Sequence, residues 1–206
     1  MMPNKKALCL YIIFLICLSG IAGCSKNPTS LTLEEMYDSY WGSEQTVVCE
    51  ALKITETDYS VEELNNGLSK TYTSKNLNYV FHDNDAELFF GFYDNALSLI
   101  GCRIYFEEDN ELYSFMKNQI SEYDQDYELI DDGGSSALRN SETFEDFQKI
   151  TEYSLKADGI FTSGLDWNFN SDTQLKMTVV KSAQNEKSAL TISLHNINLT
   201  QNILMN

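Results

Sequence analysis

Positive charge is scarce in this chain. Lys and Arg number 14 against 31 Asp and Glu in 206 residues, a formal net charge of -17. A nucleic-acid binder needs a cationic footprint to displace phosphate counterions, and none is available. Attachment to anionic lipid through a basic patch is excluded on the same ground. Histidine is nearly absent: His82 and His195 stand alone, each at an expected strand end and each read as solvated, so a metal site or general base would have to recruit them singly. The spacings that carry familiar chemistry are also missing. There is no Gly-x-Ser-x-Gly elbow, Walker-type glycine loop, dinucleotide fingerprint or His-Glu-x-x-His. No cofactor and no metal are expected. Asp83-Asn84-Asp85 offers oxygen ligands but lacks the glycine and glutamate that complete an EF-hand loop, and reads as a hairpin turn. Disorder is not expected, because 43% of the residues are apolar and 12% aromatic.

What is present begins at the N-terminus. Lys5 and Lys6 precede an apolar run from Ala7 to Leu18. A membrane-spanning helix takes about 20 apolar residues, so this run has the proportions of a signal-peptide core. Ile21-Ala22-Gly23-Cys24 follows and resembles the lipobox of bacterial lipoproteins, an aliphatic residue and two small ones before a cysteine. Small side chains admit the backbone to a protease, and only a thiol can form the thioether to a diacylglycerol. The resemblance implies cleavage before Cys24 and acylation of Cys24, with anchoring at about 0.8 kcal/mol per buried methylene. Without its first 23 residues the chain carries 12 basic against 31 acidic residues, or -19. Cys9 and Cys17 leave with the leader, so Cys49 and Cys102 remain in an exported domain. They are either a disulfide pair or two free thiols in apolar surroundings.

Ser25 to Ser30 reads as a short polar tether. Thr32 with Glu35 forms a capping box for a helix with Leu33, Met36, Tyr37 and Tyr40 on one face, ended by Gly42. Residues 43–52 read as a second helix or, through the Val47-Val48 pair, a strand, and a third, short helix is expected after a capping box of Ser60 and Glu63. Strands follow at 77–81, 86–93 and 97–106, then a helix opened by Glu107-Glu108-Asp109 with Leu112, Phe115, Met116, Ile120 and Tyr123 on its apolar stripe. Residues 125–142 read as an acidic loop. Thr143 with Asp146 caps another helix, and a second meander covers 165–169, 175–180 and 189–194. The two meanders share Leu-x-aromatic-x-Phe, at Leu77–Phe81 and Leu165–Phe169.

The expected fold is α+β: two similar units, each a helix plus a three-stranded antiparallel meander, packed in one body. The boundaries are 1–23 signal peptide, 24–31 lipidated tether, 32–130 first unit, 131–142 acidic Gly/Ser linker, 143–196 second unit and 197–206 frayed tail. The plan is similar to duplicated helix-plus-sheet envelope lipoproteins and inhibitors, of the β-lactamase-inhibitor-protein-like and SmpA types. That similarity implies binding or scaffolding without catalysis.

The meanders differ in one respect. In the second, apolar and polar residues alternate cleanly, as for a sheet wet on one face. In the first, Leu88, Phe90 and Phe92 oppose Phe89, Gly91 and Tyr93, joined by Leu99 and Tyr105. Such a strand is covered on both faces, or one face awaits a partner. Phe89, Tyr93 and Tyr105, with Arg103 at their edge, are therefore the candidate binding face. The leading function is a membrane-anchored, extracytoplasmic, non-catalytic binding or scaffolding module. Its partners are the membrane, through lipid, and an envelope protein, peptide or glycan. The alternatives are an envelope hydrolase using loop carboxylates such as Glu107-Glu108-Asp109 or Asp131-Asp132, and a carrier of an apolar ligand between the helices and the aromatic sheet.

Overall fold

The computed structural model describes residues 31–64, 67–77, 79–130, 137–185 and 187–197. The leader, the lipobox with Cys24, the tether to Ser30, residues 131–136 of the linker and the tail from 198 lie outside the described residues. Leu31, assigned by sequence to the tether, is buried.

The Thr32 capping box forms as expected. Thr32 Oγ1 accepts from the Glu35 amide at 3.1 Å, and Glu35 Oε2 accepts from the Thr32 amide at 2.9 Å. Helix α1 runs Leu33–Tyr40, and Gly42 turns the chain at φ +72°. Helix α2 is Gln45–Leu52, burying Val48 and Leu52.

The helix expected after Ser60 is instead a strand, β1, Tyr59–Leu64. A Ser-x-x-Glu spacing occurs by chance as easily as by design. Here period-2 alternation prevails: Tyr59 is buried and Val61 half-buried, while Ser60 and Glu62 face water. A strand that sequence reading missed, β2, Ser69–Ser74, completes this hairpin. Strands β3 (Tyr79–Phe81), β4 (Asn84–Tyr93) and β5 (Ala96–Phe106) follow. They are joined by two-residue turns at His82-Asp83 and Asp94-Asn95, whose four residues all have positive φ. That is the geometry of a tight hairpin whose twist matches its strands.

Helix α3, Asp109–Asp126, packs Leu112, Met116, Ile120 and Tyr123 inward. The region read as loop from 125 is more ordered than expected. A two-residue strand, β6 (Glu128–Leu129), and a turn of helix, α4 (Ala137–Asn140), lie in it, and Leu138 is fully buried. A capping box of Thr143 and Asp146 opens α5, Phe144–Asp158, and Gly159 at φ +73° closes it. Strands β7 (Ile160–Asn168), β8 (Thr173–Ser182) and β9 (Ser188–Asn196) complete the chain.

The fold is α+β, with all the described strands in one antiparallel nine-stranded sheet of order β1-β2-β4-β5-β9-β8-β7-β6, while β3 pairs with β4 off that path. The second half of the chain does not stack on the first; it continues the same sheet through β5 and β9. One face of the sheet carries Phe90, Phe92, Ile100, Cys102, Ile104, Leu190, Ile192, Leu175, Met177 and Trp167, all buried. The helices lie on this face. Tyr123 of α3 meets Trp167, Phe115 of α3 meets Phe106, and Phe147 of α5 meets Phe161. The result is two layers, helices on sheet, with the core between them.

Candidate functional site: the sheet face without helices

No described helix packs on the other face of the sheet. Register sets its rows. One row runs Ser60, Thr73, Phe89, Gly101, Ser193, Lys176, Asp166 across the strands. The next row reads Glu87, Arg103, Thr191, Thr178, Gly164, and on the far side lie Gly91, Leu99, His195, Gln174, Asn168. Hydroxyls, amides and paired charges thus alternate with a few large apolar groups.

Three of the four residues expected at a binding face converge here. Arg103 Nη1 lies 3.5 Å from Glu87 Oε2, and Tyr105 OH donates to the same oxygen at 2.9 Å. Burial pushes the Tyr105 phenol up. Phe89 lies in the adjacent row but is 8% exposed. Its ring occupies the space above Gly101, where an added Cβ would stand 2.4 Å from Phe89 Cζ and 2.6 Å from Ser193 Cβ. Glycine at this position lets the ring lie flat across β5. Tyr93 is half-buried and stands apart, paired with Ser69 and Ala96 beyond a register shift in β4–β5.

A second charged pair sits on β8 and β7, Lys176 Nζ to Asp166 Oδ2 at 3.4 Å. The other carboxylate oxygen, Oδ1, is buried and has no hydrogen-bond partner among the described residues. Between the two pairs, Ser193 Oγ and His195 Nε2 are 2.6 Å apart. Burial, aided by the Lys176 ammonium, pushes His195 from 6.5 down to about 4. The expectation of a solvated His195 is corrected: the residue is half-buried, with Leu99 and Gln174 beside it in register and Ser193 Oγ against its ring, and it is neutral near pH 7. His82, by contrast, is exposed in its turn, with its ring against Phe81 and Phe115.

Glu87, Lys176, Asp166 and Ser193 were missed by sequence reading. Their importance arises from cross-strand register, and no local spacing records it. Cys49 and Cys102 are free thiols, half-buried on α2 and buried on β5 respectively, and burial raises both.

The acidic run ahead of α3 meets a cavity of about 360 Å³ lined by Glu107, Glu108, Asp109, Phe144, Gln148 and Lys181. Its acids are largely engaged. Asp109 contacts Lys181 and accepts from Ser188 Oγ at 2.9 Å, and Glu107 lies 2.6 Å from Lys187. Lys181 on β8 and Lys187, just ahead of β9, thus tie the chain at the entry to α3 to the sheet. Among the described residues no group of His, Cys, Asp and Glu has the clustering of a metal site, and no helix is long and apolar enough to cross a membrane.

No family model, curated protein or solved structure matches the chain.

Proposed function

We propose that the chain is an extracytoplasmic lipoprotein, acylated on Cys24, that works as a non-catalytic binding or scaffolding module, with the helix-free sheet face around Glu87, Arg103 and Tyr105 as its binding surface. The observation that carries the binding role is the asymmetry of the sheet: one face is filled by helices, and on the other no described helix packs. Flat arrays of hydroxyls, amides and paired charges with a few rings suit an envelope protein, peptide or glycan. The hydrolase alternative would draw on Glu107, Glu108 and Asp109, but lysines already neutralise two of these. The two-unit reading stays part of the proposal as an origin by duplication. What supports it is that β1, β2, β4 and β5 run inward from one edge and β7, β8 and β9 run inward from the other side, meeting at β5 and β9; the two-residue β6, which crosses over from the first unit, departs from this order.

Two measurements test this. Palmitate labelling of the expressed chain should vanish in Cys24→Ser; undiminished labelling refutes the lipoprotein reading. A photo-crosslinking residue at Thr191, on the helix-free face, should trap a partner in intact cells. The same residue at Tyr153, 78% exposed on α5, should not. Equal trapping at both positions, or none at Thr191, refutes the assigned surface.

A further inference from the structure

The two edges of the sheet are finished differently. At one end β6 pairs with β7 at Trp167 and Asn168, and α4 packs against β7. At the other end β1 is the terminal strand among the described residues, where it pairs with β2 alone. Tyr59 N–H already donates to the Thr55 carbonyl at 2.9 Å; beyond it, every second residue of such a strand turns its N–H and C=O outward, and these groups are a template for another strand. A cavity of about 360 Å³ runs beside β1, lined by Glu56, Tyr59, Ser60, Val61, Glu63 and Lys75. Apolar ground is present in the half-buried Val61 and in Leu64 and Leu68 at the hairpin end, which are 54% and 41% exposed.

The edge is also acidic. Glu56, Asp58, Glu62 and Glu63 surround it. The nearby lysines are committed: Lys75 Nζ donates to the carbonyls of Glu56 and Thr57 at 2.6 and 3.1 Å, and Lys70 Nζ lies 2.8 Å from Glu63. Charges on an edge strand commonly serve to repel further strands. Here they are of one sign, in a chain of net charge -17, so the strand they repel is another copy of this acidic chain. A strand of opposite charge meets no such barrier.

We propose that β1 accepts an extended, cationic segment of a partner protein as an additional strand. Apolar side chains of that segment would lie over Tyr59 and Val61, with Lys or Arg reaching Glu56 and Glu62. This site is separate from the helix-free face, and neither reading depends on the other.

The probe is a peptide of about eight alternating lysine and valine residues, titrated to about 1 mM into the isotope-labelled full-length chain. Binding should shift the amide resonances of Tyr59–Leu64 and leave those of Arg103 and Tyr105 in place. Methylating alternate peptide amides should weaken binding about tenfold or more in one frame and leave it intact in the other, because only one frame faces β1. Glu62→Lys, at an exposed position, should weaken binding several-fold. No shifts at about 1 mM, shifts confined to the other face, equal binding of a glutamate-for-lysine twin, or equal loss in both methylation frames each overturns the proposal. The methylation test uses the unmutated chain, so it stands even if the variant is unstable.

Discussion

The two faces of one sheet solve different problems with the same strands. On the helix side, β4 presents Leu88, Phe90 and Phe92 and β7 presents Phe161, Leu165 and Trp167, all buried against helices. On the other side the same strands present Glu87, Phe89 and Gly91, and Thr162, Gly164 and Asp166. The first face is held by the volume of apolar side chains. The second is held by register: Phe89 lies over Gly101, Arg103 pairs with Glu87, and Lys176 pairs with Asp166. Substitutions should therefore cost stability on the first face mainly through lost volume, and on the second mainly through gained volume.

The largest effect should come from Trp167→Ala. Trp167 is fully buried, stacks edge-on against Tyr123 and donates Nε1–H to Asp124 at 2.9 Å. Truncation of such a residue costs about 3–5 kcal/mol, and chemical denaturation should show it. A cost below about 1 kcal/mol would mean that the helix layer does not seal this face. Next comes Gly101→Ala. Its added methyl meets Phe89, Ser193 and the Ile192 carbonyl at 2.4, 2.6 and 2.7 Å, and overpacking of this kind costs about 1–3 kcal/mol. Adding Phe89→Ala should recover only part of that, because the Ile192 carbonyl is backbone and cannot step aside. Full recovery would show that the ring alone sets the spacing.

His195 gives a smaller, pH-dependent difference. Its folded pKa of about 4 lies below its ordinary 6.5, so the unfolded chain binds the extra proton between these values. Its neutral state favours folding above about 6.5, and that contribution falls away as pH drops toward about 4. The urea midpoint of the native chain should fall faster over this interval than that of His195→Gln, whose amide can still bond Ser193 while Lys176 and Gln174 keep their places. Parallel pH profiles would rule out a half-buried imidazole held neutral. The smallest effect belongs to Arg103→Ala. With its side chain 42% exposed and one long ion pair, it should change stability by less than about 0.5 kcal/mol, yet reduce partner trapping at Thr191. A large stability loss would make Arg103 a structural residue.

The sequence carried much of the helix layer because its signals are local. Thr32 with Glu35, Thr143 with Asp146, and the stripe from Leu112 to Tyr123 each specify an element without reference to distant residues, and each forms. The alternation in 165–194 likewise placed β7, β8 and β9, with their ends extended. The first hairpin was misread because Ser60 and Glu63 mimic a cap while Tyr59 and Val61 alternate, and only pairing with Thr71-Tyr72-Thr73 settles the contest. That β5 would join β9, and so bring Arg103 beside Thr191, lay beyond reach for a physical reason. Strand order is decided by tertiary pairing between segments far apart in the chain, and no local periodicity encodes it.

The seam between β5 and β9 has a consequence for how the molecule comes apart. Strands from 96–106 and 188–196 zip along their length, β6 from the first half pairs with β7 of the second, and α3 packs on α5. The halves are woven together, and neither closes a core alone. A chain severed between Leu129 and Ala137 should remain one particle, with its two pieces eluting together until denaturant melts both in a single step.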